Sequence, residues 1–129
     1  MNQPHEPVSS PLFNAVADLA FDSVMVTEAS NEHAASKIIF VNDAFTELTG
    51  YGRDEVIGET PGMLQGPDTE QQVLDRLDED LKHDRTFHGQ TVNYRKDGTP
   101  FHIEWKVRKV IETGDRIYYV AVQREAPRD

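Results

Sequence analysis

The side chains that could do chemistry in this sequence are few and scattered. Five histidines, His5, His33, His83, His88 and His102, share no metal-ligand spacing. His83 sits in the run DLKHDR, which is charged on all sides and reads as a solvated helix end. Cysteine is absent, which excludes disulfides, thiolate metal sites, a cysteine nucleophile and a cysteinyl adduct with a cofactor. Asp78, Glu79 and Asp80 form an acidic run, but no second element offers them a partner carboxylate for acid–base work. Neither a phosphate-cradling glycine loop nor a serine elbow is present. The inventory gives no support for catalysis.

Which elements hold these residues follows from periodicity and punctuation. Residues 1–10 carry Pro4 and Pro7 without a periodic pattern and read as a flexible lead-in. Leu12, Phe13, Val16, Leu19 and Ala20 share one face at helical spacing. Residues 23–27 and 37–41 are short β-rich runs separated by a polar loop over 28–36. Asn42 is placed to cap a helix through Thr49, with Gly50 to end it. A small turn over 53–57 leads to Gly58, and two prolines and two glycines in 59–68 give loop or broken helix. Thr69 with Gln72 has the spacing of a capping box for a helix whose stripe is Val73, Leu74, Leu77 and Leu81. Its acidic residues, Asp75, Asp78, Glu79 and Asp80, should face water.

The last third reads as β. Residues 87–95 and 99–110 flank the turn Lys96-Asp97-Gly98, and Thr113-Gly114-Asp115 turns into a final strand over 116–124. Phe101, Ile103, Trp105 and Val107 alternate with His102, Glu104, Lys106 and Arg108, so this strand has one dry and one wet face. Two strands, then helices, then three strands predict an α+β domain with one antiparallel sheet covered on one face.

At 129 residues there is room for one such domain. The expected division is a lead-in and flanking helix over 1–20, the domain over 21–125, and the start of a linker or tail over 126–129. A formal charge of −10 repels phosphate backbones and anionic lipid, which argues against nucleic-acid and membrane partners. No run approaches the roughly 18 apolar residues that span a bilayer. MNQPHEPVSS lacks the pattern of a secretory signal, and the absence of cysteine fits a reducing cytoplasm.

Four strings carry a family resemblance: VNDAFTELTGYGRDEVIG (41–58), LQGPDT (64–69), NYRKDGTPF (93–101) and VAVQRE (120–125). In this order and spacing they resemble the light-oxygen-voltage (LOV) branch of the PAS family, over about residues 21–125. The resemblance implies a PAS-like five-stranded antiparallel sheet, helices over one face around a flavin mononucleotide pocket, and an N-terminal helix outside the core. It also implies a cysteine that forms a light-driven adduct. Aligning Gly58 and LQG places Pro61 at that position, so the residue itself excludes adduct chemistry.

The remaining flavin contacts carry over unevenly. By resemblance, Asn93 and Gln123 would bind the ring edge, and Gln65 would lie near the ribityl chain. Thr60 replaces an asparagine, Ile103 replaces the second ring-edge asparagine, and Gly62 and Asp78 stand where two arginines hold the phosphate. A phosphate wants cations or an array of donors, so its site is the part most weakened. Strand parity turns Ile103, Trp105 and Asn93 inward, where Trp105 either stacks on a ligand or fills core. Asn93, Gln65 and Gln123 read equally as ligand contacts or as internally satisfied amides. The cofactor is thus open between flavin (mononucleotide or riboflavin) in a weakened site and none.

On the opposite sheet face, Val24, Val26, Tyr118, Val120 and Val122 should form an apolar patch. The N-terminal helix is its natural cover, and a second subunit could share that role. The expectation is a sensory input domain that regulates a downstream effector through homodimer contacts. A cysteine-free flavin sensor of light or redox state and a sensor of another small molecule are the alternatives.

Overall fold

Hairpin chemistry and alternation build the sheet expected above. In the computed structural model, which describes residues 10–31, 35–112, 114 and 116–127, five strands lie in one antiparallel sheet. They are β1 (Ser23–Ala29), β2 (Lys37–Val41), β3 (Phe87–Tyr94), β4 (Pro100–Glu112) and β5 (Arg116–Glu125), ordered β2-β1-β5-β4-β3. Helices are α1 (Pro11–Leu19), α2 (Asp43–Thr49), α3 (Arg53–Val56) and α4 (Gln71–Lys82), with a 3-10 turn over Pro61–Leu64. The readings of residues 1–9, of His33, of Thr113 and Asp115 in the last turn, and of the final two residues lie outside the described residues.

Two packed layers result, one on each face of the sheet. On the inner face Phe101, Ile103, Trp105 and Val107 of β4 meet Phe87, Met25 and Ala121, and the helical side adds Phe45, Val56 and Leu64. Phe45, Phe87 and Phe101 are wholly buried, each contributing about 1.5–3 kcal/mol of apolar transfer. On the outer face Val24, Val26, Phe40 and Tyr118 are buried beneath α1, whose Phe13 ring meets Phe40 edge-on at 5.0 Å.

Asn42 joins the two layers. Wholly buried at the end of β2, it accepts from Phe45 N at 3.1 Å to cap α2 and from Val24 N at 2.9 Å to fix β1. Its amide NH₂ donates to Ala17 O of α1 at 2.7 Å and to Asp22 O at 3.1 Å. Gly50 closes α2 in the left-handed region at φ 81°, as its position in the sequence indicated.

Two local expectations are corrected. Thr69 and Gln72 form no capping box: α4 begins at Gln71 with Glu70 as its cap residue and no side-chain cap bond. The Thr69 hydroxyl instead donates to Val92 O at 2.6 Å and accepts from Gly66 N, because β3 offers a stronger partner than the helix end. On α1 the packed side is Phe13, Ala17 and Ala20, while Leu12, Val16 and Leu19 are 76%, 63% and 81% exposed. Small Ala17 allows the helix close enough for the Asn42 bond; the larger aliphatic residues are left outside.

Replacing Asn42 tests this junction. Asn42→Ala should destabilise the domain by about 3 kcal/mol in urea denaturation, because it orphans several buried backbone groups. Asn42→Asp keeps both acceptor bonds but sets oxygen against the Ala17 and Asp22 carbonyls. It should loosen α1 selectively, read as faster amide exchange in α1 than in α2.

Candidate functional site: an inner cavity and the amides beside it

The inner face is packed at one end of the sheet and open at the other. A cavity of about 680 Å³ lies over the sheet floor formed by Met25, Trp105, Val107 and Ala121, with Leu77 and Leu81 of α4 as its wall. Pro61 reaches its edge from the 3-10 turn. The far end is polar, lined by Thr27, Ser36, Lys82, Asp78 and Lys109. Thr27 is only 3% exposed.

Trp105 marks the boundary between open and packed halves. It pairs across the sheet with Gln123 on β5 and with Gly89 on β3, and its ring lies 4.8 Å from Phe87 at an interplanar angle of 56°. Gly89 is required here, because a Cβ at that position would come within 2.5 Å of the Phe87 ring and 2.7 Å of the Arg76 guanidinium. That guanidinium stacks on the other partner of the pair, 4.8 Å from the Phe87 centroid.

Two of the amides are buried in the sheet, Gln123 opposite Trp105 itself and Asn93 four residues away along the strands. Asn93, opposite Phe101, is 8% exposed, and its side chain makes no hydrogen bond among the described residues. Gln123 is 3% exposed and its carbonyl accepts from the Ser23 hydroxyl at 2.9 Å. Gln65 and Thr60 are exposed, flanking the 3-10 turn as its end and start residues. Of the five residues singled out from the sequence, Trp105 lines the cavity; Gln65, Asn93, Gln123 and Thr60 do not.

Sequence reading missed Lys109. It continues the inward series 101, 103, 105, 107, so strand parity alone would have found it. Its side chain is only 7% exposed, and its ammonium sits 2.7 Å from the carboxylate of Asp84, which is 74% exposed. Asp84 follows α4 with φ 59°, the left-handed region that an aspartate tolerates better than most residues.

The positions carried over from the resemblance match a flavin mononucleotide at Asn93 and depart from it at Ile103, Gly62 and Asp78. Asn93 suits a ring edge, whereas Ile103 near it is apolar and 1% exposed. Neither Gly62 nor Asp78 supplies a cation for a phosphate, although Lys82 and Lys109 line the same cavity. Trp105 both packs against Phe87 and lines the cavity. Trp105→Ala should cost about 3–5 kcal/mol in chemical denaturation, and Trp105→Phe clearly less.

Comparison with known proteins agrees with the architecture. Residues 22–125 match the PAS domain family. A blue-light photoreceptor of Listeria innocua is 32% identical over 116 residues, which are 89% of this chain and 46% of that protein. Phototropin-2 of Oryza sativa subsp. japonica is 34% identical over 122 residues, 92% of this chain and 13% of its own length. The chain thus spans less than half the length of either relative. Among solved structures, a light-oxygen-voltage domain studied with a flavin analogue superposes with a TM-score of 0.82 at 24% identity, covering 96% of this chain and 90% of that one. The light-state LOV domain of the photoreceptor Aureochrome1 superposes with a TM-score of 0.74 at 27% identity, covering 90% and 89%. With a matching family model over nearly all of the sheet-and-helix unit, and no cysteine in its sequence, the chain belongs to the PAS domain family as a cysteine-less, LOV-like member.

Proposed function

We propose that this PAS domain is an input module that regulates an effector through homodimer contacts, without cysteinyl-flavin photochemistry. On this reading any catalytic effector is a separate domain, and the module works in the cytoplasm without binding nucleic acid. The relatives include a blue-light-activated histidine kinase of Erythrobacter litoralis, 42% identical over 64 residues, which are 50% of this chain and 18% of that protein.

The observation that carries the dimer is the unfinished outer face. A groove of about 480 Å³ runs between α1 and the sheet, lined by Phe13, Phe21, Val24, Val120 and Val122. Val16, 63% exposed, forms part of its wall and joins it to the ridge of exposed Leu12 and Leu19 on the same helix, and Phe21 is fully exposed. Ridge and groove share one face, so a two-fold pairing buries both in both subunits at once. Light scattering at high protein concentration should give the mass of a dimer. Val16→Asp, at a position exposed in the folded domain, should give a monomer with unchanged circular dichroism. A monomeric wild-type protein would overturn the proposal.

A second reading, a cysteine-free flavin sensor, is favoured by the uncommitted amide of Asn93. Its test is a titration with riboflavin and with flavin mononucleotide, followed by visible absorption. The weakened phosphate site predicts that riboflavin competes well with the mononucleotide. Ile103→Asn combined with Asp78→Arg should raise mononucleotide affinity. A strong preference of the wild type for the phosphorylated form would contradict the roles given to Gly62 and Asp78.

A further inference from the structure

We infer that the inner cavity binds a small amphipathic monocarboxylate, its apolar body lying along Trp105, Val107 and Leu77 and its carboxylate on Lys109. This deepens the sensory reading by naming the class of signal the module would take.

Size and shape set the body of the ligand. A cavity of about 680 Å³ falls within the roughly 300–1,000 Å³ of small-molecule sites. From Trp105 to Lys109 the strand advances four residues, about 13 Å at 3.3 Å per residue. The floor and wall between these two residues are apolar, through Met25, Val107, Ala121, Leu77 and Leu81. An elongated apolar chain or ring system suits this path; a polar or multiply charged one does not.

Charge sets the head. Lys109 is the inward-facing cation at the end of that path, and burial obliges its ammonium to keep an anionic partner. Asp84 now supplies one, but Asp84 is largely in water and loses little by returning to it. A ligand carboxylate can therefore take the place of Asp84 with no change in the charge around Lys109. Thr27, which lines the cavity and shares Tyr119 as a cross-strand neighbour with Lys109, adds a donor, and exposed Lys82 adds a second positive charge. Asp78, also lining the cavity, opposes a second negative charge and so favours a monoanion over a phosphate.

Trp105 is the chain's single tryptophan and lines the cavity, so its fluorescence reports occupancy directly. The probes are decanoate, decanol and decylamine, each titrated below its aggregation threshold. Decanoate should bind most tightly and decylamine least. Lys109→Met should weaken decanoate about tenfold while leaving decanol unchanged, and Lys109→Arg should restore most of the preference. Asp84→Asn, tolerated at a left-handed position, should strengthen decanoate by removing its competitor. Equal affinity of decanoate and decanol, retention of decanoate by Lys109→Met, or no response to any probe would overturn the assignment. Light scattering on the same samples reads the dimer separately, so failure of either proposal is distinguishable from failure of the other.

Discussion

The domain depends on one buried amide. Asn42 is the point at which outer helix, sheet and inner helix exchange hydrogen bonds, through four backbone groups of four different segments. An asparagine suits this position because it has an acceptor oxygen able to take two bonds and an NH₂ able to give two. No apolar residue could replace it without leaving those groups unpaired in the interior. The two faces of the sheet are therefore not independent: whatever tilts α1 on the outside pulls on the residue that caps α2 on the inside. The junction is thus a physical path between the inner layer, which holds the cavity, and the outer layer beneath α1.

The inner layer combines two solutions to one problem. Along β3 it is filled by aromatics: Phe101 stands opposite Asn93, and Phe87, opposite Val107, is held between the Arg76 guanidinium and the Trp105 ring. Toward β1 and β5 no large side chain fills the space under α4, where Met25, Val107 and Ala121 form the floor. Gly89 makes the filled half possible, and Lys109 makes the open half polar at its limit. Asn93 is therefore displaced along the strands from the open space, whereas Gln123 stands opposite cavity-lining Trp105. Gln123 stays satisfied through Ser23, so no cofactor is needed to pair its carbonyl.

Much of this was legible in the residues. The alternation in β4, the Asn42 cap and the Gly50 stop each follow from a single local rule, and each rule met no competitor. Thr69 shows the contrary case: its spacing to Gln72 is that of a capping box, but a strand carbonyl stood closer and the hydroxyl went there. The N-terminal helix shows another. Its largest aliphatic residues share a face, yet tight docking through Ala17 turned that face outward. Lys109 was overlooked because a lysine late in a strand reads as wet, whereas parity turns it inward and only an ion pair makes that tolerable. Gln65 and Thr60 were selected by resemblance to a site whose depth depends on loop packing, which spacing does not encode; both are exposed.

The outer face carries its own boundary. Across β3, β4 and the end of β5 the exposed side chains form a charged ladder, in which Glu104 receives bonds from Arg124 at 2.9 Å and lies 2.7 Å from His88. The His88 hydrogen bond, then that of Arg124, holds the Glu104 carboxyl below its usual range. This depressed acid favours the folded arrangement at neutral pH, and the preference fades as pH falls through its lowered value. Such a ladder stays hydrated and resists burial against an apolar partner. The apolar strip is thus confined to α1 and the half of the sheet formed by β1 and β5, where Val122 and Phe21 remain uncovered. That confinement also places the strip on the same helix that Asn42 holds. An interface formed there would bear directly on the one junction that links both faces of the sheet.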